Sequence, residues 1–222
     1  GQEEVLKTDL IFDEYWCRDQ PFYVGTNLIQ SNRNYTLRVE YEGKKYEATT
    51  TTSVRTVELD SVSYTNSFVD VYGEHQGVVI DFHDPIGEGD NYRFYIERQA
   101  DSSVYTIDDF EYNPKCLGAD TTQIADIGWF VYSDENADGQ NTRLIMEPSH
   151  TFKKDDVAFV RLQTLDKNAA AYFDQLDKLK QASLNPFVEP VFLQEQIEGA
   201  IGYFGSMNLS APIKVVFPEN AD

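Results

Sequence analysis

Apolar and polar residues alternate from residue 35 onward, with Tyr35, Leu37, Val39 and Tyr41 separated by Thr36, Arg38 and Glu40. A period of two puts every second side chain on one face of an extended chain, so this stretch predicts a strand with one buried face. Glu42, Gly43 and Lys44 supply a turn, and residues 45–52 return as a threonine-rich strand to complete a hairpin. Ahead of it, Leu10-Ile11-Phe12 and Phe22-Tyr23-Val24 predict two strands flanking a polar bend. The polar run 53–56 reads as a linker and divides the chain into residues 1–56 and a larger part, residues 57–222.

Beyond the linker, strands are predicted at 57–64, 67–72, 77–82, 91–97, 104–107, 124–132, 142–146, 157–165 and 209–217. Val78-Val79-Ile80 is continuously apolar, which suits a strand covered on both faces. The segment Asp84-Pro85-Ile86-Gly87-Glu88-Gly89-Asp90 is dense in turn formers and predicts a loop. One helix interrupts the series. Asp166 is a suitable N-cap for residues 167–181, where Ala169, Tyr172, Phe173, Leu176 and Leu179 recur at helical spacing, and Asn185-Pro186 stops it. Gly199, Gly202 and Gly205 follow, and they predict close backbone packing or positive φ, since no helix comes after them to cradle a phosphate. Short strands at this spacing predict a mainly β fold, an antiparallel β-sandwich carrying one α-helix before its last strand.

Composition narrows the function. A formal net charge of -20 repels phosphate backbones and anionic headgroups, so nucleic acid is not an expected partner. No apolar run reaches membrane-spanning length and no signal peptide is recognisable. The two cysteines, Cys17 and Cys116, have no zinc-like spacing, and the sequence leaves a disulfide and two unpaired thiols equally open.

Chemistry has one sharp local signal. Asp134, Asn136, Asp138 and Gln140 set oxygen ligands at alternate positions with Gly139 for the turn, as calcium loops do. Ile145 stands where a bidentate glutamate would be expected, so an acidic hairpin turn is the competing reading. Just upstream, Trp129 and Tyr132 would stack on a sugar or anchor a protein interface if exposed, and fill the core or an inter-domain seam if buried. Asp81 and His83 would share a strand face, yet no nucleophile is placed with them, and no hydrolase, zinc-protease or Walker signature is present. No enzyme is expected.

Four blocks occur in one order: YTLRVEYEGKKYEATT (35–50), FHDPIGEGDNYRFY (82–95), VRLQTLDKNAAAY (160–172) and NPFVEPVFLQEQIEGAIGYFG (185–205). In these the chain resembles the domain-of-unknown-function family 4249, Bacteroidetes outer-membrane lipoproteins, from about residue 32 to the C-terminus. The closing block is the most specific. The resemblance implies an immunoglobulin-like N-terminal part, here incomplete, and a lipid anchor at the cell surface or periplasmic face of the outer membrane. It also implies company with TonB-dependent transporters, and it brings no catalytic residues. Cys17 lacks a preceding apolar segment and is not expected to carry the lipid, so the anchor would lie outside this chain. The expectation is a non-catalytic binding or accessory module. The alternative is a carbohydrate-binding or adhesion module shaped by calcium at Asp134, with glycan as its ligand.

Overall fold

The structure is a computed structural model that describes residues 3–13, 18–52, 55–70, 73–101, 121–127, 130–148, 152–184, 189 and 191–218. Among these the fold is mainly β, with thirteen strands and one helix. The predicted strand at 104–107, Trp129, Cys17 and Cys116 lie outside the described residues.

The N-terminal part is two hairpins, each its own antiparallel two-stranded sheet: β1 (Lys7–Asp13) with β2 (Arg18–Val24), and β3 (Asn34–Tyr41) with β4 (Lys44–Thr51). Glu42 and Gly43, at φ 50 and 76, form the two-residue connection, and left-handed backbone at both positions matches the twist of the strands it joins. Leu10, Phe12 and Tyr23 remain exposed on the first hairpin.

The larger part holds two sheets. In the first, β6 (Gly73–His83) lies between β5 (Ser61–Asp70) and β10 (Asn141–Met146). The two strands predicted at 57–64 and 67–72 are replaced by the single strand β5, because the register slips between Thr65 and Phe68 without ending the pairing, as at a β-bulge. The second sheet runs β12 (Met207–Leu209), β11 (Val157–Leu165), β7 (Asn91–Asp101), β8 (Thr121–Ile127). Two short strands complete it, β13 (Ile213–Val216) on β11 and β9 (Tyr132–Ser133) on β7. The predicted strands 124–132 and 209–217 are thus each divided. In the second case Ser210 leaves the ladder, its hydroxyl accepting from Leu162 N at 2.8 Å.

The sheets share one core. Val78, Ile80 and Phe82 of β6 pack with Tyr92, Phe94 and Ile96 of β7 and with Val160 and Leu162 of β11, all at most 1% exposed. The period-two pattern in each strand is what aims these side chains at the same layer. Phe152 stacks on Phe217 with ring centroids 4.4 Å apart, and Tyr64 meets both edge-on.

Helix α1 (Lys167–Leu184) covers the other face of the larger sheet. Asp166 caps it, taking the N–H of Ala169 at 2.7 Å. Ala169 and Ala170 pack on Leu165, with Val131, Phe173 and Tyr203 around them. Beneath the helix the buried Arg93 guanidinium sits 4.1 Å from the Phe173 ring centroid. Burial pushes the Asp177 carboxyl above the usual range, and the charges of Arg93 and Lys180 oppose it. Gly205 passes so close to the helix start that a Cβ would lie 2.9 Å from Ala169 N and from Asp166 Oδ1, the close packing expected there. Among the described residues no helix is long and apolar enough to cross a membrane.

Candidate functional site

The β6–β7 loop and the loop between β9 and β10 meet at one end of the two sheets. Pairing of β6 with β10 continues past His83–Asn141 to Asp84, whose N–H bonds Gln140 O at 2.9 Å. This registration brings three carboxylates together: ligand-capable oxygens of Asp84, Asp134 and Asp138 lie within 4.8 Å of one another. Asp84 and Asp134 are fully buried.

Each carboxylate accepts a glycine N–H. Asp84 Oδ2 takes that of Gly139 at 2.9 Å, Asp138 Oδ1 that of Gly87 at 2.6 Å, and Asp134 takes that of Gly89 on both oxygens, at 3.0 and 3.1 Å. Asp84 Oδ1 also accepts the hydroxyl of Tyr92, whose own acidity is suppressed first by burial and then by this bond. Glycine is needed in this packing, since at Gly139 (φ +69) a Cβ would come within 2.9 Å of Ile86 Cγ1. Ile86 itself stands at the tip, 82% exposed.

Asp90 closes the loop. Its Oδ2 is buried and accepts no hydrogen bond, and Arg55 Nη2 stands 4.0 Å away. Burial raises the Asp90 pKa, Arg55 opposes this, and the charges of Asp84 and Asp134 add to it.

Of the residues the spacing singled out, Asp134 and Asp138 come together. Asn136 and Gln140 are exposed and lie outside this group, in which Asp84 of the other loop is the third member. Tyr132 packs against the core with its ring stacked on Tyr92 at 6.4 Å. Asp81 and His83 do not pair with each other. Asp81 is gripped by Arg143 at 2.7 and 3.2 Å and by the Ser61 hydroxyl at 2.9 Å, while His83 Nδ1 meets Asn141 Oδ1 at 2.9 Å. Asp84 was legible only as part of a turn-rich loop, since nothing local marks a residue that is delivered by strand pairing.

A family model described as Domain of unknown function (DUF4249) matches residues 11–211. No curated protein and no solved structure matches the chain.

Proposed function

The chain belongs to the family described as Domain of unknown function (DUF4249), and from that premise we propose that it is a non-catalytic binding or accessory module. It works from a lipid anchor at the cell surface or periplasmic face of the outer membrane, beside an outer-membrane protein such as a TonB-dependent transporter. The observation that supports this reading is the use made of Asp84, Asp134 and Asp138. All three are committed to glycine N–H groups that hold two loops in shape, which suits a rigid presenting surface better than proton transfer. That surface is crowned by the exposed Ile86.

Affinity capture of the lipidated protein from envelope membranes, with Ile86→Asp in parallel, tests the reading. An outer-membrane protein recovered by the native chain and lost by the variant is expected. Recovery of none, or equal recovery by both, contradicts it.

A second reading, a calcium-shaped carbohydrate-binding or adhesion module, is favoured by the approach of three carboxylates within 4.8 Å. Calcium takes six to eight oxygens, so Asp84, Asp134 and Asp138 would supply its charged ligands and nearby carbonyls the remainder. Calorimetric titration with calcium chloride should then show heat and a raised Tm, and silence in both counts against it.

A further inference from the structure

A polar cleft of about 490 Å³ opens between strand β4, the β6–β7 loop and the first residues of α1. Its size falls within the roughly 300–1,000 Å³ of small-ligand sites. Leu165 is the one apolar side chain on its wall among the described residues, so an apolar occupant would be poorly matched.

Its charged groups are of both signs. Arg55 and Lys167 face it together with Glu88 and Asp90, and Asp166 is already bonded to Ala169 and Ser206. An anion would meet the carboxylates and a cation the two bases, so neither ionic class gains from the whole wall. The pair Arg55 and Asp90 is more specific. At 4.0 Å the two side chains are too far apart for a direct hydrogen bond, and the buried Asp90 Oδ2 has no other donor. A group that fills this gap must accept from the guanidinium and donate to the carboxylate. A hydroxyl does both.

We propose that this cleft binds a neutral polyhydroxylated ligand, a saccharide unit, with one hydroxyl bridging Arg55 and Asp90. Further hydroxyls reach Lys167 and Glu88. The proposal goes beyond the partner-protein reading and needs no cation at the three carboxylates. The β6–β7 loop, braced from behind by Asp134 and Asp138, supplies one wall in a fixed position.

The test is an amide-shift titration of the isotopically labelled chain with glucose, galactose, mannose, maltose and cellobiose, in the presence of EDTA. At least one sugar should give saturable shifts at residues 49–51, 87–90 and 165–168. Arg55→Ala, at a half-exposed side chain, and Asp90→Ala should each weaken that binding roughly tenfold, as loss of a hydrogen bond to a charged group does. No saturable shift with any of these sugars, shifts confined to other regions, or unchanged affinity in Arg55→Ala would each overturn the proposal. The membrane capture experiment stands apart from this one, because Arg55→Ala leaves the Ile86 tip intact.

Discussion

Gly89 gives its single main-chain N–H to both carboxylate oxygens of Asp134, at 3.0 and 3.1 Å, across forty-five positions of sequence. The bond fastens one loop to the other at the end of the core. Because Asp134 is fully buried, Asp134→Ala leaves the Gly89 donor without its acceptor and should cost about 2 kcal/mol. For a chain of this size that is a Tm roughly 4–8 °C lower, measurable by calorimetry.

Asp166 joins three parts of the fold. Its carboxylate caps α1 at Ala169, accepts Ser206 N at 2.6 Å and takes the hydroxyl of Thr50 from the N-terminal hairpin. Asp166→Ala should therefore cost about 3 kcal/mol, more than an ordinary N-cap. Thr50→Val, which removes only the tie to the hairpin, should cost less in chemical denaturation.

Much of this fold is legible in the sequence because its signals are local. Alternation at Tyr35, Leu37, Val39 and Tyr41 gives β3, the apolar run at Val78 gives the most buried strand, and Asp166 announces the helix it caps. The helix runs to Leu184, just ahead of the Asn185-Pro186 stop. What local pattern misses is made by pairing. The spacing of Asp134 and Asp138 marks them, whereas Asp84 joins them only through the β6–β10 register. The bulge that merges two predicted strands into β5, and the departure of Ser210 that splits the last one, also depend on partners distant in sequence.

Tyr64 should control the alkaline limit of stability. Its hydroxyl is buried without a hydrogen-bond partner, and burial, aided by the charge of Glu147, pushes its pKa up to about 12. A phenol whose pKa is raised on folding contributes stability that is complete below its unfolded value near 10 and is lost as pH rises toward 12. Tyr64→Phe should match or slightly exceed the native Tm at neutral pH and retain more of it at pH above 10. A variant that melts lower at neutral pH would contradict this.

Gly77 lies where β6 passes β10, and a Cβ there would come 2.7 Å from the Met146 carbonyl oxygen. That oxygen belongs to backbone and cannot swing away. Gly77→Ala should cost about 1–3 kcal/mol, the range for overpacking a dense interior, as read from the midpoint of urea unfolding.

The central claim is that the loop end held by Asp84, Asp134 and Asp138 is the surface that meets a partner. Its most direct test places a photo-reactive residue at position 86 of the lipidated protein in intact cells, with position 41 on the β3–β4 hairpin as the comparison. Illumination should give an adduct with an outer-membrane protein from position 86 and none from 41. Adducts from 41 alone, or from neither position, would contradict the account.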